Sequence, residues 1–513
     1  MKRGCVCRGI AHRAQGLRKA RVIMAVHYKM YIDGEWVDSS SGETFPTENP
    51  FTGEVWANIP RATAEDAERA LAAARRESDG EWAKVSGVKR GLLMNKLADL
   101  IDANAAHLSM IESTDNGKVT RETEAQMHVV ARQMRFFAGY ADKIYGKTIP
   151  LDNPSMFDYT LREPLGVVVM ITPWNSPLSL LSNKLCPALA AGNTAIVKPS
   201  RSTSASTIEL AKLVEQAGFP KGVFNVVTGD VCGDVLTGSP KANKISLTGG
   251  TEVAQHILKE AANNITRVTM ELGGKSPNII FADASLDRAI IGALTGIFQA
   301  AGQTCVAGSR LLVEEPVYDK VVKEVIAGAE RIKLGDPFQK DTGMGPVANR
   351  KQMDTILGLI DGAVAEGAKV LTGGKRVTEG ELAKGYFIAP TVLEVTNDMM
   401  IAQTEVFGPV LCIIKFKTEE EAVQIANDTK YGLAAGIWTN NASRAHRVAR
   451  KIQAGMIWIN TYRSMAAQTP FGGYKLSGYG KERGEEALYE YTQLKNIMMD
   501  LSSDVYDQYT MRM

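Results

Sequence analysis

Short apolar runs alternate with helical periodicities along most of the chain. After Leu165, β-rich runs such as GVVVMIT, NTAIVKPS and KISLTGG are separated by segments with apolar residues at helical spacing, one of them over residues 204–218. This alternation is typical of a twisted parallel sheet covered by helices. A second series of the same kind begins after Arg310 and reaches MIWIN. The pattern therefore predicts the α/β class, with two α/β domains that contain parallel twisted sheets.

The two ends of the chain have a different pattern. Residues 30–60 contain short alternating runs in turn-rich sequence, which is typical of a small β arm, and helical spacing follows over residues 63–76, 89–108 and 120–141. Near the C-terminus, QLKNIMMDLS has short apolar runs without an obvious partner strand. We interpret this segment as a subunit contact, with a terminal core strand as the alternative.

Composition narrows the classes of function. Among 513 residues, 59 Lys and Arg nearly balance 57 Asp and Glu, and the net charge of +2 gives no reason to expect a nucleic acid or a membrane surface as partner. Two long uncharged stretches, residues 164–183 and 289–309, contain Pro, Asn, Gln or Thr and do not read as lipid-facing helices. The 6 Cys show no paired spacing, which suits a reducing compartment, so we expect a cytoplasmic location.

Residues 1–27 form a basic extension without any acidic residue. This composition resembles a transit peptide, but Met24 directly precedes AVHYKMYIDGEWV. We therefore favour an untranslated upstream extension over a targeting segment, and both interpretations stay open. The extension is expected to be disordered.

Standard nucleotide and metal motifs are absent from the sequence. No G-x-G-x-x-G occurs, and the near match TMELGGKS has Thr269 where a phosphate loop needs Gly. The 6 His are scattered, without HExxH or a cluster with Cys, so no metal site is expected.

Three residues remain as candidates for chemistry. Cys305 lies among small residues in FQAAGQTCVAGSR, where a substrate can approach the backbone, although a Cys in an apolar setting is more often an inert core residue. Glu271 ends a buried strand before Gly-Gly, where a carboxylate is costly unless it is paired, solvated or functional; the alternative is a structural carboxylate that caps backbone amides. Asn175 follows a strand in VMITPWNSP, and its amide suits either an oxyanion or a turn cap.

Taken together, these segments and several others resemble the aldehyde dehydrogenase superfamily. The matching motifs, in chain order, are PWNSP, IVKPS, LTGGTEV, MELGGKSP, GQTCVAGSR, EVFGPV and PFGGYKLSGYG. The resemblance implies a Rossmann-like cofactor domain, a catalytic domain and a small β oligomerisation arm, assembled as a homodimer or homotetramer. The implied bounds are 28–143 and 165–274 for the cofactor domain, 275–478 for the catalytic domain, and 144–164 with 479–513 for the arm.

The resemblance also implies NAD(P)-dependent, non-acylating oxidation of a small-molecule aldehyde to a carboxylic acid. Cys305 is implied to form a thiohemiacetal and then a thioester, Asn175 to stabilise the oxyanion, and Glu271 to activate the hydrolytic water. Lys198 completes the implied catalytic set. The implied cofactor-binding residues are Thr172, Pro173, Trp174, Lys198, Ser200, Arg201, Gly229, Thr248, Gly249, Gly250, Leu272, Gly273, Glu405 and Phe407.

One departure from the family concerns the cofactor. Family members often carry Glu three residues after the lysine, whereas this chain has Arg201 in KPSR. Because a guanidinium replaces the carboxylate that would repel a 2′-phosphate, we expect use of both NAD and NADP, or a preference for NADP. The alternative is that Arg201 points into solvent and NAD is preferred.

A second departure concerns the substrate tunnel. Familiar members of the family place aromatic residues along the tunnel, whereas most of the matching positions in this chain are not aromatic. The implied pocket is more polar and roomier and lacks the aromatic cage that quaternary ammonium groups favour, which argues against betaine aldehyde. Arg463, near the expected tunnel mouth, favours a carboxylated semialdehyde, with a subunit-surface salt bridge as the alternative role. The positions that match the tunnel are Ser176, Leu180, Asn183, Thr304, Val306, Arg463, Met465 and Phe471.

Other functions stay open at this point. One is oxidation of a plain aliphatic or aromatic aldehyde. Another is a cofactor-independent cysteine thioesterase or esterase that uses Cys305 and Glu271 without redox chemistry. A non-catalytic homologue is disfavoured because the implied catalytic residues are all present.

Overall fold

The computed structural model describes residues 25–503 and residue 509. The basic extension predicted for residues 1–27 therefore lies almost entirely outside the described residues. Its last two residues, Val26 and His27, pair in parallel with Ala57 and Asn58.

Helices and strands alternate through most of the described chain. The helices are Ala64–Asp79 (α1), Gly87–Ala103 (α2), Ala105–Asn116 (α3), Thr120–Ala138 (α4), Pro177–Ala191 (α5), Ala205–Ala217 (α6), Cys232–Gly238 (α7), Thr251–Ala262 (α8), Leu286–Phe298 (α9), Tyr318–Glu330 (α10), Arg350–Ala365 (α11), Met400–Gln403 (α12), Glu419–Asn427 (α13), Ala442–Lys451 (α14) and Glu486–Glu490 (α15). The strands are Val26–His27 (β1), Met30–Ile32 (β2), Glu35–Val37 (β3), Thr44–Asn49 (β4), Glu54–Pro60 (β5), Thr148–Ile149 (β6), Met156–Pro164 (β7), Val167–Ile171 (β8), Thr194–Lys198 (β9), Phe224–Val226 (β10), Lys244–Thr248 (β11), Arg267–Glu271 (β12), Pro277–Ile280 (β13), Arg310–Glu314 (β14), Lys369–Thr372 (β15), Thr391–Glu394 (β16), Val410–Phe416 (β17), Tyr431–Gly432 (β18), Ala434–Trp438 (β19), Met456–Ile459 (β20), Tyr474–Lys475 (β21), Gly478–Tyr479 (β22) and Thr492–Asp500 (β23).

The predicted cofactor domain is built on an 8-stranded sheet in the order β22-β12-β11-β8-β9-β10-β2-β3. Its central strands β12, β11, β8, β9 and β10 are parallel, and antiparallel strands close both edges. Alternate residues of β8 face different cores: Val167 and Val169 join one cluster, and Val168 and Met170 join another. A parallel strand covered on both faces needs such a continuous apolar run.

The predicted catalytic domain contains a 7-stranded sheet in the order β15-β16-β17-β14-β13-β19-β20. All its neighbouring strands are parallel except β15, which is antiparallel to β16. Two apolar clusters cover its faces. The prediction of two α/β units with parallel sheets is therefore confirmed, because the β–α alternation on which it rests is local.

Several elements differ from the sequence pattern. The region 30–60 does not form one β arm: β2 extends the cofactor sheet by pairing with β10, while β1, β5 and β4 form a separate sheet. Met30 and Ile32 are fully buried, which holds β2 in that sheet. The helix predicted over 89–108 is interrupted at Asn104, which ends α2 and precedes α3.

The C-terminal segment has a partner strand. All nine residues of β23 pair with β7, and β6 completes an antiparallel sheet in the order β23-β7-β6. Ahead of it, β22 pairs with β12 and α15 packs against α5, so residues 478–490 lie on the cofactor domain. The use of this three-stranded sheet in subunit contacts stays a prediction.

Two further structural findings concern the described residues alone. Within residues 25–503, each helix is too short or too polar to cross a bilayer. The same part of the chain brings together no group of three or more His, Cys, Asp or Glu side chains that suits a metal ion.

Candidate active site

Cys305 lies in a strained loop between α9 and β14. Ala300, Ala301 and Gly302 all have positive φ angles, of 54°, 52° and 71°. A Cβ on Gly302 would lie 2.0 Å from the Gly408 carbonyl oxygen, and one on Gly274 would lie 2.7 Å from the Cys305 carbonyl oxygen. Consecutive left-handed residues persist only where surrounding contacts enforce them, and such strain is common at active sites.

Asn175 contacts the same loop. It follows β8, and its Nδ2 donates to the Gln303 carbonyl oxygen at 2.9 Å. Gln303 is fixed in turn, because its Oε1 accepts from the backbone N–H of Ala348 at 2.9 Å. The second hydrogen of the Asn175 amide makes no bond within the described residues. The structure therefore brings the predicted oxyanion donor to the loop that carries the predicted nucleophile.

Glu271 ends β12 and is almost completely buried. Neither of its carboxylate oxygens has a hydrogen-bond partner among the described residues. A Cβ on Gly472 would lie 2.9 Å from Glu271 Oε1, so only glycine leaves room for this carboxylate. Burial raises the pKa of Glu271 well above its usual value, and the nearby Glu482 carboxylate raises it further, whereas Lys184 and Lys481 oppose the rise.

A buried ion pair borders Glu271. Lys184 on α5 donates to Glu482, and the two residues are 298 positions apart in the sequence. Glu482 is placed by mutual backbone hydrogen bonds with Phe471. Sequence reasoning missed this pair, because no spacing or motif relates positions so far apart, and it sets the charge environment of Glu271.

The Cys305 thiol is far from ready to ionise by itself. Burial raises its pKa to about 12, and the carboxylates of Glu405 and Glu271 contribute, while Arg463 opposes them. Since the thiolate is the nucleophilic form, the site needs a base to take the thiol proton. Glu271, whose carboxylate oxygens have no partner among the described residues, is one of the carboxylates that act on this thiol.

The predicted cofactor residues line the carboxyl ends of the parallel strands of the cofactor sheet. Thr172, Pro173 and Trp174 follow β8, Lys198 ends β9, Thr248 ends β11, and Leu272 and Gly273 follow β12. This edge is where open parallel sheets bind nucleotides. The structure thus brings together residues that the sequence spreads over about a hundred positions.

Two features of the groove at this edge of the sheet suit a dinucleotide. The hydroxyls of Thr172 and Thr248 are buried and have no partner in the described part of the chain. Helix α8 begins after Gly249 and Gly250 without a side-chain cap from any described residue, and a Cβ on Gly250 would meet no atom within 4 Å. A helix N-terminus with free amides and open space suits a diphosphate.

Glu405 and Phe407 lie between this groove and Cys305. Glu405 Oε1 accepts from the Gly274 backbone N–H at 2.9 Å, and burial raises the Glu405 pKa to about 7. The Phe407 ring meets the Trp174 ring edge-on, with centroids 5.2 Å apart. The predicted role of both residues in holding the nicotinamide end of a cofactor stays a prediction.

Arg201, which follows Ser200 in the turn after β9, is exposed but does not point freely into solvent. Its guanidinium lies over the Phe45 ring at 5.2 Å, and its Nη1 is 3.4 Å from Asp230 Oδ2. Asp230 also pairs with Arg61 at 2.8 Å and follows Gly229, whose φ is 110°. Two guanidinium groups thus converge on one exposed carboxylate in the turns after β9 and β10.

Only some of the predicted substrate positions pack in the same cluster as Cys305. Val306, Met465 and Phe471 share one apolar cluster with Cys305. Leu180 and Thr304 are half-buried. Ser176 Oγ accepts a hydrogen bond from the ammonium group of the buried Lys118 at 2.9 Å. Lys118 was not among the residues predicted from the sequence. Asn183 is buried, and its Oδ1 accepts hydrogen bonds from Gln133 and Arg483.

The pocket wall is more aromatic than predicted. Trp458 and Tyr462 belong to the same cluster as Cys305 and Phe471, and their ring centroids are 4.9 Å apart. The Tyr462 hydroxyl donates to the Val306 carbonyl oxygen at 3.1 Å. These rings were missed because they lie outside the positions compared with the family. Because the sequence-based argument against a quaternary ammonium substrate depended on a lack of aromatic residues, these rings weaken it.

Arg463 is half-buried beside this cluster. Its backbone φ is 60°, and its Nη1 is 3.5 Å from the Gln299 carbonyl oxygen. Within the described residues it forms no ion pair, and the alternative of a subunit-surface salt bridge stays a prediction. Its charge is close enough to Cys305 to lower the pKa of that thiol against the effect of burial.

Comparisons with known proteins agree over nearly the whole chain. The sequence pattern of the Aldehyde dehydrogenase family matches residues 36–497. The (Z)-2-((N-methylformamido)methylene)-5-hydroxybutyrolactone dehydrogenase of Acinetobacter baylyi is 44% identical over 94% of this chain and 99% of its own length. Cytosolic aldehyde dehydrogenase 1 of Mus musculus is 44% identical over 93% of this chain and 95% of its own length.

Solved structures agree as well. Betaine aldehyde dehydrogenase from Staphylococcus aureus, crystallised in complex with NAD+, superposes with a TM-score of 0.93 at 42% identity and covers 94% of this chain and 96% of its own. The α/β fold is therefore that of the aldehyde dehydrogenases. With the motifs, the fold and these relatives in agreement, this chain belongs to the aldehyde dehydrogenase family.

Proposed function

We propose that this chain oxidises an aldehyde to the free carboxylic acid with NAD(P)+, through a thioester on Cys305. The observation that carries the proposal is a half-buried cysteine whose thiol pKa is raised in part by Glu271, a buried carboxylate whose two oxygens have no partner within the described residues. Burying such a carboxylate is costly, and proton transfer from the thiol and later from a water gives it a task.

The first step forms a bond between Cys305 and the substrate. Glu271 accepts the thiol proton, and the sulfur adds to the aldehyde carbon to give a thiohemiacetal. The negative oxygen formed in this addition is stabilised by the free hydrogen of the Asn175 amide. Loss of one such donor typically raises the activation free energy by about 3 kcal/mol.

The second step is oxidation. When bound, NAD(P)+ supplies the acceptor for the two electrons and the hydrogen that leave the thiohemiacetal carbon, and a thioester remains on Cys305. Lys198, the glycines before α8, Glu405 and Phe407 would hold the cofactor in the groove at the ends of the strands. The complex of the Staphylococcus aureus relative with NAD+ supports this assignment.

The last step is hydrolysis. Glu271 first releases the thiol proton to solvent and then takes a proton from a water, whose oxygen adds to the thioester carbon; the C–S bond breaks to release the carboxylic acid, and Glu271 returns its proton to the leaving Cys305 sulfur. A pKa raised by burial suits Glu271 to this work near neutral pH, because a carboxylate that is too acidic is a weak base. Release of a free acid, and not transfer to another thiol, is the expected outcome.

The substitution Glu271→Gln tests this assignment. It should slow the first turnover, because the thiol then lacks its base, and slow hydrolysis more, so mixing the variant with aldehyde and cofactor should give a slowed phase of about one NAD(P)H per site, followed by turnover reduced by about 10² to 10⁴. Stopped-flow absorbance measures both phases, with Cys305→Ser as the blank. Hydrolysis of an ester or thioester by the wild-type enzyme, with no NAD(P)H formed from any aldehyde, would indicate instead a cofactor-independent esterase.

Arg201 supports the use of NADP as well as NAD. In this chain the guanidinium is held near Asp230, so a 2′-phosphate would have to draw Arg201 and Arg61 away from that carboxylate. We expect NADP to be used at least as efficiently as NAD, and Arg201→Met to reduce kcat/KM for NADP by at least about tenfold relative to NAD. Steady-state kinetics with both cofactors measure the ratio. A wild-type enzyme unable to use NADP would contradict the assignment.

For the substrate, we propose a carboxylated semialdehyde with Arg463 near the tunnel entrance. A half-buried guanidinium without an ion-pair partner in the described chain is well suited to bind a carboxylate in bidentate fashion. A panel of semialdehydes and plain aldehydes tests this. An unchanged KM for semialdehydes in Arg463→Ala would contradict it.

A further inference from the structure

A second guanidinium lies deeper in the same region. Arg483 retains only 6% of its accessible surface, and its backbone φ is 60°. It directly follows Glu482, which is joined to Phe471 by two backbone hydrogen bonds of 2.7 and 2.6 Å. Arg483 is therefore held next to a residue of the cluster around Cys305.

The side chain of Arg483 is only partly satisfied. Its Nε donates to Asn183 Oδ1 at 3.0 Å, and the same oxygen accepts from Gln133 Nε2 at 2.9 Å. Within the described residues, the two terminal nitrogens of Arg483 have neither a hydrogen-bond acceptor nor an ion-pair partner. Gln133 Oε1 is also buried without a partner in this part of the chain. The cluster is thus incomplete as it stands.

The neighbouring carboxylate does not complete it. Glu482 pairs with Lys184, and its second oxygen, Oε2, is buried without a partner, so it does not bond to Arg483 either. A buried guanidinium is costly unless a partner offsets the lost hydration. The Nε contact fixes the plane of the group and leaves the terminal nitrogens free for a partner from outside the chain.

The position of Arg483 indicates where such a partner would come from. Asn183, which bonds to Arg483, and Phe471, which bonds to the adjacent Glu482, are both predicted substrate positions, and the charge of Arg483 is close enough to interact with the Cys305 thiol. Arg463, by contrast, is half-buried and bonds only to a backbone carbonyl of the described chain. Of the two guanidinium groups, Arg483 is therefore the more buried.

We propose that Arg483, oriented by Asn183, is a specificity residue of the substrate site and binds the carboxylate of a short carboxylated aldehyde. The inference rests on the function proposed above and names a residue that decides its substrate class. A planar guanidinium presents two parallel N–H donors that match a carboxylate. An aldehyde without the carboxylate leaves the buried charge unpaired, and such a mismatch discriminates strongly between substrates.

The kinetic test compares substrates matched in carbon count: succinic semialdehyde with butanal, and glutaric semialdehyde with pentanal. Arg483→Met should reduce kcat/KM for the semialdehydes about a hundredfold more than for the alkanals, mainly through KM. Arg483→Lys should recover part of this preference, and Asn183→Ala should lose part of it. The control is Arg132→Met, which removes an exposed charge from the outer face of α4.

A binding test does not depend on turnover. Calorimetry on Cys305→Ser measures the affinity for glutarate, and adding Arg483→Met should weaken it at least about tenfold. Equal losses for semialdehydes and alkanals in Arg483→Met, together with unchanged glutarate binding, would overturn the role of Arg483 and leave the proposed function intact. Absence of NAD(P)H formation by the wild-type enzyme with every aldehyde would overturn the proposed function, while weakened glutarate binding would still support the anion site.

Discussion

At the scale of single residues, the chemistry depends on burying groups that prefer water. Cys305 and Glu271 are both disfavoured in their charged forms by their surroundings, so each is neutral more often than in solution. In the proposed mechanism the ionised form of Glu271 takes the proton of Cys305, and the net charge of the pair is unchanged by that transfer. The sequence predicted both residues through their motifs, but not Lys184 and Glu482, which set the local charge.

A pH profile of thiol reactivity tests the state of Cys305. With the thiol pKa raised to about 12, the thiolate fraction without cofactor should rise about tenfold per pH unit between about pH 6 and about pH 9. The rate of modification by iodoacetamide should rise with it. Because Arg463 lowers this pKa, Arg463→Met should slow modification at every pH, whereas Arg132→Met should not. A rate that is already constant below about pH 7 would contradict the raised pKa.

At the scale of elements, the helices and parallel strands follow local patterns, and the functional loops do not. The helix predicted over 204–218 is observed as Ala205–Ala217, since its apolar spacing and the left-handed Gly218 after it are local signals. Nothing in FQAAGQTC indicates that Ala300 and Ala301 adopt positive φ. Their conformation is imposed by the packing of the loop against Gly408.

Gly302→Ala tests that packing. The new Cβ would meet the Gly408 carbonyl oxygen at 2.0 Å, and the φ of 71° is strained for alanine. We expect a loss of about 1–3 kcal/mol in the free energy of unfolding, with a larger proportional loss in kcat because Cys305 is displaced. Urea unfolding and steady-state kinetics measure the two effects. The control is Gly358→Ala in α11, where a Cβ meets nothing within 4 Å; a Gly302→Ala enzyme as stable and active as this control would show that the loop is not confined.

At the scale of the whole molecule, the sheet formed by β23, β7 and β6 has exposed apolar side chains. Leu494 and Met498 on β23 expose 57% and 55% of their surface, and Phe157 and Leu161 on β7 each expose 41%. Exposed apolar residues on a sheet with open edges are typical of an interface. The predicted oligomerisation arm accordingly remains the best candidate for subunit contacts.

Leu494→Asp combined with Met498→Asp tests this. Both positions lie on the same face of β23, and buried charges there should weaken association, so the mass measured by light scattering should fall toward that of one chain. Met110→Asp, at an exposed position of α3, is the control for an added charge on the surface. An unchanged oligomer mass would show that the subunit interface lies elsewhere on the molecule.

The sequence by itself determined the class of fold, the family and the identities of Cys305, Glu271 and Asn175, because β–α periodicity and short motifs are local properties of the chain. Only the tertiary structure decided which distant residues surround them. The Lys184–Glu482 pair joins positions 298 apart, and the Arg483–Asn183 contact joins positions 300 apart. Such contacts follow from how α5 and the segment after the catalytic sheet pack together, and packing depends on the whole fold.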